Sequence, residues 1–261
     1  MSVGTLGSGQ LADAAPPSRW RGLLRRHATM PLVLAAALLA TYLWVSSLAL
    51  DDIERRSLNA GQLFRVTGQH VSISAMTTLL VVVIAVSAGV LLTRPALRWL
   101  APFVTALANV GQAMPAIGLL VLLSIWLGIG AGTALIGLVA YAVLPVLRNT
   151  IVGINQVDRH LIEAGRGIGM SPLAVLLRVE LPLAVPVILA GVRTALVLAV
   201  GVATLATFID AGGLGGLIVT GIKLQRDPVL ITGAVLTAAL ALTLDWLGGV
   251  IADLLRPPGL D

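Results

Sequence analysis

Long apolar runs separated by short polar segments dominate the chain. Six runs are candidate membrane spans, at 30–50, 71–93, 99–127, 132–146, 181–209 and 229–251. A hydrocarbon core of about 30 Å needs about 20 apolar residues per helix, and most of these runs reach that length. The run 99–127 is longer and contains Pro102 and Pro115, so we expect a short helix followed by a third span. The pattern predicts an all-α integral membrane protein with about six transmembrane helices.

Composition supports a membrane protein and excludes several kinds of chemistry. The chain of 261 residues is 57% hydrophobic and 11% charged, with a mean hydropathy of +0.99. A soluble domain of this length would need more polar surface. Cysteine is absent, which excludes disulfides and thiolate nucleophiles. His27, His70 and His160 are scattered along the chain, so we expect neither a metal site nor a cofactor.

Basic residues are distributed unevenly between alternate polar segments. With a cytoplasmic N-terminus, eleven lie inside and five outside, as the positive-inside rule requires. The inside set is Arg19, Arg21, Arg25, Arg26, Arg94, Arg98, Arg148, Arg159, Arg166, Arg178 and Arg256. The outside set is Arg55, Arg56, Arg65, Lys223 and Arg226. Both termini and the loop 155–182 are therefore expected in the cytoplasm. Charges in short loops flanking spans are not a nucleic-acid footprint, and no nucleic-acid partner is expected.

The loop 155–182 carries the signals of two short helices joined by a turn. Asp158 can cap a helix beginning at Arg159. Ser171, followed by proline, can start a second helix that runs to about Glu180, with Pro182 marking the start of the fifth span. Between the two helices, three glycines favour a turn with close backbone approach: Gly165, Gly167 and Gly169.

The spacing within this loop is more specific than its composition. The pattern Glu-Ala-Ala, three residues, Gly, nine residues, Ile, one residue, Leu-Pro is matched at Glu163, Ala164, Gly169, Leu181 and Pro182, with Gly165 and Val179 as small departures. It resembles the EAA loop of ABC importer permeases, which a separate ATPase subunit contacts in that family. The resemblance implies that Glu163, Ala164, Gly165, Gly169, Leu181 and Pro182 couple the chain to an ATPase. An ordinary amphipathic loop on the membrane surface is the alternative.

Other segments refine the resemblance. Residues 112–117, 147–154 and 206–215 are similar to the permease subunits of bacterial glycine betaine, carnitine and choline importers. That family implies a methionine-importer-like permease fold in the bacterial inner membrane. It also implies a second permease subunit (identical or paralogous), a cytoplasmic ATPase dimer and an extracytoplasmic substrate-binding protein. ATP hydrolysis would belong to the ATPase, so the chain would be a transport subunit and not an enzyme.

A second set of residues comprises candidates for the solute pathway or its gate. Asn109 and Gln112 lie three apart on one helix face, with Pro115 nearby to loosen the backbone, and they either hydrogen-bond neighbouring helices or line a pore. Gly212, Gly213 and Gly215, with Gly216, predict a tight re-entrant turn at the outer end of the fifth span, or an external gate.

Charge deep in a span is the last of these signals. Arg193 lies inside the fifth predicted span, where an unpaired charge costs about 2.5–3.5 kcal/mol. Asp245, in the sixth, is the other charge deep in a span. A structural ion pair between them is favoured over contact with solute, although Asp245 could instead lie near the cytoplasmic interface.

One segment imitates a nucleotide-binding motif. Residues 216–223 approach the glycine spacing of a phosphate-binding loop, but Ile222 stands where that motif requires lysine. We therefore reject ATP binding there.

These observations predict a division of the chain and leave functional alternatives. We expect a cytoplasmic tail at 1–29, a first span with its outer loop at 30–70, a permease domain at 71–252 and a cytoplasmic tail at 253–261. The predicted solute is a quaternary-amine osmoprotectant. The alternatives are an ABC permease for another small solute and an ion-coupled secondary transporter, which usually carries several ionisable groups at mid-membrane.

Overall fold

The computed structural model describes residues 19–255, with side chains for 28–254. Residues 1–18 and 256–261, most of the two predicted tails, lie outside the described residues. The described part folds into helices and contains no strand. The helices are α1 (Arg19–Ser46), α2 (Asp52–Ser57), α3 (Ala60–Leu92), α4 (Ala101–Ala113), α5 (Ala116–Leu127), α6 (Ala131–Asn155), α7 (Arg159–Gly167), α8 (Pro172–Val175), α9 (Leu181–Ala203), α10 (Gly215–Leu224) and α11 (Asp227–Leu255).

Five helices are long and apolar enough to cross a membrane, and their ends differ from the predicted runs. In the order of the predicted runs, the helix of the first run ends at Ser46, four residues early. The helix of the second predicted span begins at Ala60, eleven residues early, because a mixed polar and apolar segment, 60–70, extends it beyond its apolar part. The fourth continues nine residues beyond 146 to Asn155, with Pro145 inside it. The fifth ends at Ala203, and a 3₁₀ turn, Leu205–Ile209, follows it.

The third predicted span is wrong in shape. α4 and α5 meet at an angle of 100°, and α5, with 12 residues, is only about 18 Å long. The bend falls at Met114, whose backbone is extended (φ −68°, ψ 144°) before Pro115. Proline disfavours the helical region for the residue that precedes it, which explains why one long apolar run gives two short helices.

Contacts between helix ends show that the bent pair still carries the chain from one end of the bundle to the other. Arg94, just after α3, pairs with Glu180, just before α9. Asn155, at the end of α6, lines the same cavity as those two side chains. At the opposite end, Gly130 N–H donates to the Ile209 carbonyl at 2.7 Å. The chain therefore crosses the bundle between Arg94 and Gly130, and five long helices plus the bent pair account for the six predicted spans.

The helix α9 lies at the centre of the bundle, against α3, α6 and α11. Close approach to α6 depends on Gly191, where a Cβ would lie 2.8 Å from the Pro145 carbonyl oxygen. That carbonyl lies one turn from Asn149, whose Nδ2 donates to the Val187 carbonyl at 3.0 Å. Small residues and interhelical hydrogen bonds of this kind hold membrane helices together.

The orientation predicted from charge gives a labelling experiment. Asp51 lies at the end of the bundle opposite the loop 155–182, where its Oδ2 is 2.7 Å from Arg226 Nε. Ser57 follows Asp51 closely and Ser171 belongs to the loop, so the two serines lie at opposite ends of the bundle. Because the chain has no cysteine, single cysteines can be placed freely. We expect Ser57→Cys to react with a membrane-impermeant maleimide in intact cells and Ser171→Cys to react only after permeabilisation. The reverse pattern would overturn the orientation.

Candidate functional site

The first helix of the predicted coupling loop begins where the sequence indicates. Asp158 is its N-cap, and the Asp158 carboxylate accepts a hydrogen bond from His160 N–H at 2.9 Å. The helix that follows, α7, is strongly amphipathic: Gly165 is its one buried residue, whereas Glu163 and Ala164 are exposed. The cap predicted from Asp158 is confirmed.

A Schellman turn ends α7 and fixes the position of the second helix. Met170 N–H donates to the Gly165 carbonyl at 3.1 Å, and Gly169 N–H donates to the Arg166 carbonyl at 2.9 Å. Gly169 has φ +88°, the left-handed conformation that this motif requires. A Cβ at Gly165 would meet Met170 Sδ at 3.3 Å and Val175 Cγ2 at 3.6 Å, so Gly165 is the point where α7 rests on the second helix.

The second helix starts at the predicted cap but does not end where predicted. Ser171 Oγ accepts from Ala174 N–H at 3.2 Å. The helix then passes through a π turn, Leu176–Glu180, directly into α9. Pro182 lacks the N–H that an α-helix would use there, and a π turn is a local way to accommodate such a gap. The coupling loop is therefore continuous with the central helix, and Leu181 packs against the core residues Ile154, Ala184 and Ile188.

Large apolar side chains surround the turn on its exposed side. Ile168 is 82% exposed, and three leucines are about half exposed or more: Leu161, Leu173 and Leu177. We call these four residues the loop patch. Polar groups accompany the patch, including Glu163, Arg166 and Arg178. Exposed apolar groups on two capped helices, the turn between them and the π turn that follows, with charges nearby in the sequence, form a surface suited to a groove on another protein.

An ion pair that sequence reasoning missed ties this loop to α3. Both Arg94 terminal nitrogens contact the Glu180 carboxylate, Nη1 to Oε1 at 3.4 Å and Nη2 to Oε2. Glu180 is buried, at 6% side-chain exposure, whereas Arg94 is 31% exposed. The pair lines a cavity of about 290 Å³ that also includes Glu163. The π turn at the start of α9 is thus joined to the end of α3.

The predicted glycine turn lies at the opposite end of the bundle. Gly212 and Gly213 have φ of +80° and +89°, and Gly215 begins α10. A Cβ at Gly215 would lie 2.0 Å from the Thr204 carbonyl oxygen, far inside van der Waals contact. The segment 216–223 that imitates a phosphate-binding loop is helical and packs on α11, where Gly221 faces the Leu230 backbone.

Two side chains of α3 hold the glycine turn, and sequence reasoning missed both. His70 is completely buried; its Nδ1 accepts from Leu214 N–H at 3.3 Å, and its Nε2 lies 3.0 Å from the Val200 carbonyl. Gln69 Oε1 accepts from Gly213 N–H at 3.3 Å. Because Nδ1 accepts, Nε2 carries the proton and donates to Val200. One imidazole thus joins α3, α9 and the turn.

The ion pair predicted deep in the membrane is confirmed. Arg193 Nη2 lies 2.9 and 3.0 Å from the two Asp245 oxygens, and Arg193 Nε donates to Oδ1 at 3.2 Å. A bidentate guanidinium–carboxylate pair is among the strongest hydrogen-bonded arrangements. The pair joins α9 to α11.

Asn109 and Gln112 stand apart from the other pathway candidates. Both are partly buried on α4, which packs on α6 where a Cβ at Gly111 would lie 2.8 Å from the Ala140 carbonyl oxygen. Neither amide lines the cavity around Arg193. The predicted pathway residues therefore fall into three separate groups: the α4–α5 bend with Pro115, the glycine turn, and the α9–α11 ion pair.

Comparison with known proteins identifies the family to which the chain belongs. The sequence profile of the family described as "binding-protein-dependent transport system inner membrane component" matches residues 82–257. The chain belongs to this family. It is 41% identical to the choline transport system permease protein OpuBB of Bacillus subtilis over 77% of this chain and 92% of that protein.

Other relatives and a solved structure agree. The chain is 40% identical to the glycine betaine/carnitine/choline transport system permease protein OpuCB of B. subtilis, over 77% of this chain and 92% of that protein. It is 39% identical to the osmoprotectant import permease protein OsmW of Salmonella typhimurium, over 81% of this chain and all of that protein. A chain of the MetNI methionine ABC transporter in an inward-facing conformation superposes with a TM-score of 0.65 at 26% identity, covering 75% of this chain and 96% of that one.

Family membership confirms the class of protein inferred from the loop motif. The chain is a multi-pass inner-membrane component of a binding-protein-dependent ABC transport system. It is a transport subunit, as family members are, and its methionine-importer-like fold is the predicted one. Membership in this family implies that an ATPase and a substrate-binding protein work with it.

The turn at Gly169 gives a further prediction. The close backbone approach expected at this glycine is not found, because a Cβ there would have no neighbour within 4 Å. The constraint is the φ of +88°, which costs most residues about 1–2 kcal/mol. Gly169→Leu should therefore reduce uptake by the assembled complex severalfold, whereas Gly169→Asn, which tolerates this conformation, should stay close to the parent. Equal, unimpaired uptake by both variants would refute the role of the turn.

Proposed function

We propose that this chain is the permease of an ABC importer for a quaternary-amine osmoprotectant, such as glycine betaine, choline or carnitine. The solute class rests on the relatives, which are named for choline, for glycine betaine/carnitine/choline and for osmoprotectants. The permease domain spans residues 71–252 and the coupling loop 155–182, preceded by the first span with its outer loop at 30–70.

The loop patch is the surface on which the proposed coupling to an ATPase rests. An ATPase subunit docks on the patch and on Glu163 and Ala164 beside it, with one ATPase for each of two permease subunits. Motion of the docked loop reaches α9 directly, since the second loop helix continues into α9 through the π turn. It reaches α3 through the Arg94–Glu180 pair. Gly165 and Gly169 set the angle between the two loop helices, while Leu181 and Pro182 define the junction with α9.

The orientation of the bundle determines where the other partners act. The loop end faces the cytoplasm, as the excess of basic residues there favours, so both termini are cytoplasmic. The end with the glycine turn faces outward and receives solute from the binding protein. A second permease, identical or paralogous, completes the pathway within the bilayer.

Solute selectivity resides mainly in the binding protein. Tight recognition of a quaternary ammonium uses an aromatic cage, and the chain has only ten aromatic residues. One aromatic pair, Trp99 with Phe103, is found among the described residues; both rings are more than 60% exposed and enclose nothing. The permease–ATPase complex alone should bind glycine betaine only at about millimolar concentration, equivalent to about −4 kcal/mol.

A competition experiment tests the solute class. Cells lacking their own osmoprotectant importers would express the permease together with its ATPase and its binding protein. Radiolabelled glycine betaine should accumulate and be displaced by excess unlabelled choline or carnitine, and not by methionine. Accumulation of labelled methionine, with none of glycine betaine, would replace the proposed solute class while leaving the transporter class intact.

A further inference from the structure

An open groove lies between α9 and α11 at the level of the Arg193–Asp245 pair. Its volume is about 480 Å³, large enough for a small organic solute. Besides the ion pair, its lining consists of Ala190, Thr194, Val197, Ala241 and Leu242. The groove therefore has mostly aliphatic walls and one strongly polar patch.

The α9 side of the groove differs from the outer face of α3. Four exposed residues repeat along α9 at helical spacing, of which Ala190, Thr194 and Gly201 are small or weakly polar, and the fourth, Val197, is 37% exposed. The outer face of α3 instead exposes large aliphatic groups, such as Leu79 and Val83, at 58% and 57%. Large aliphatic groups suit contact with acyl chains, whereas small residues suit contact with protein or solute.

The ion pair also argues against lipid in the groove. Arg193 lies twelve residues after Leu181 and ten before Ala203 in α9, so it is about 18 and 15 Å from the helix ends. At this depth the Arg193 and Asp245 side chains are still 37% and 36% exposed. Charges exposed to hydrocarbon are costly, and in membrane proteins they face a protein interior or water-filled space.

The guanidinium has hydrogen-bonding capacity left over. Its Nε and Nη2 bind Asp245, while Nη1 has no hydrogen-bond partner among the described residues. The guanidinium lies against α11 at Gly248 and Gly249, where added Cβ atoms would come within 2.8 Å of Arg193 Cγ and 3.4 Å of Cζ. These glycines leave room for the guanidinium beside α11, and a Cβ at Gly249 would lie 3.5 Å from Nη1.

We infer that the groove is a hydrated part of the solute pathway, and that the Arg193–Asp245 pair binds a zwitterion in transit through it. The solute carboxylate would accept hydrogen bonds from Arg193 Nη1, and its quaternary ammonium would lie near the Asp245 carboxylate. The pair as a whole is neutral, so it repels neither end of such a solute. This inference rests on the proposed function and adds that carboxylated quaternary amines are favoured here over choline, which lacks the carboxylate.

Cysteine accessibility tests the hydration of the groove. In the complete transporter, Thr194→Cys should react with a trimethylammonium-bearing methanethiosulfonate, because thiolates form in water and not in lipid. Glycine betaine at millimolar concentration should slow the reaction severalfold, and choline should slow it less. Val83→Cys on the exposed aliphatic face of α3, which we expect to contact lipid, is the matched control and should not react. If Thr194→Cys loses uptake, Val197→Cys takes its place.

One result would overturn the hydration of the groove. A transport-competent Thr194→Cys that does not react would mean that lipid or protein fills the groove. This result does not depend on the identity of the solute, so a wrong solute class and a dry groove give different outcomes.

Selectivity tests the role of the ion pair. The double variant Arg193→Gln with Asp245→Asn keeps polar side chains at both positions and leaves no unpaired charge. We expect its glycine betaine uptake, relative to choline uptake, to fall about tenfold or more, as the loss of a charge-assisted hydrogen bond implies. The Asp51–Arg226 pair provides the control, and the double variant Asp51→Asn with Arg226→Gln should leave the uptake ratio unchanged. An equal fall in the uptake of both solutes would mean that the Arg193–Asp245 pair has only a structural role.

Discussion

Replacing Glu180 with alanine will uncouple the transporter and destabilise the loop end of the bundle. Glu180 is buried, and both terminal nitrogens of Arg94 contact its carboxylate. Removing one partner of a buried pair leaves the other charge unpaired, at a cost of about 3–5 kcal/mol; the 31% exposure of Arg94 places this case at the lower end. Because the pair joins α3 to the π turn, uptake should fall more than tenfold even where the protein remains inserted.

A double-variant cycle separates this effect from simple loss of charge. Arg94→Gln should resemble Glu180→Ala, whereas Arg94→Gln with Glu180→Gln should recover part of the lost stability, since no buried charge is then left unpaired. Asp227→Asn, at an exposed carboxylate at the other end of the bundle, is the control. Thermal stability in detergent and ATP-driven uptake report the two effects. Wild-type uptake by Glu180→Ala would show that the pair transmits nothing.

Adding a single methyl group at Gly215 will prevent folding of the outer end. The new Cβ would lie 2.0 Å from the Thr204 carbonyl oxygen, and a backbone atom cannot rotate away as a flexible side chain can. Overpacking typically costs about 1–3 kcal/mol, and we expect Gly215→Ala to reach at least the upper end. The displaced turn would also lose the hydrogen bonds of His70 and Gln69 to Leu214 and Gly213.

A second glycine gives the matched control for this variant. Gly68, inside α3, has nothing within 4 Å of an added Cβ, so Gly68→Ala should be neutral or slightly stabilising. Size-exclusion profiles of detergent-extracted protein should show a monodisperse peak for Gly68→Ala and aggregate for Gly215→Ala. A monodisperse Gly215→Ala with normal uptake would mean that the turn accommodates a side chain, contrary to the geometry described above.

Apolar patterning located the membrane helices but not their ends. The helix α3 begins eleven residues before its apolar run, because hydropathy is low where Gln62, Arg65 and Gln69 extend it beyond the hydrocarbon. The helix α6 passes through Pro145, since neighbouring helices can compensate for proline within a membrane. The bend at Pro115 followed from a local rule, but its angle of 100° depends on packing against α6.

In the candidate site, too, local features were predictable from the sequence, whereas contacts between distant residues were not. Caps at Asp158 and Ser171 depend on residues two or three positions away and were predictable. The Arg193–Asp245 pair was predictable because few charges lie deep in the apolar runs. Arg94 and Glu180 are 86 residues apart, and His70 and Val200 are 130 apart. No spacing rule links such partners, since the packing of whole helices brings them together.

Solute accumulation in proteoliposomes tests the central claim, that this permease moves solute when an ATPase drives it. The permease, its ATPase and its binding protein would be reconstituted with ATP inside or outside the vesicles and with no ion gradient. We predict accumulation of glycine betaine that requires ATP on the ATPase side and binding protein on the other, and that stops with a hydrolysis-deficient ATPase. Accumulation without ATP, driven by an imposed sodium or proton gradient, would contradict the claim and identify an ion-coupled transporter.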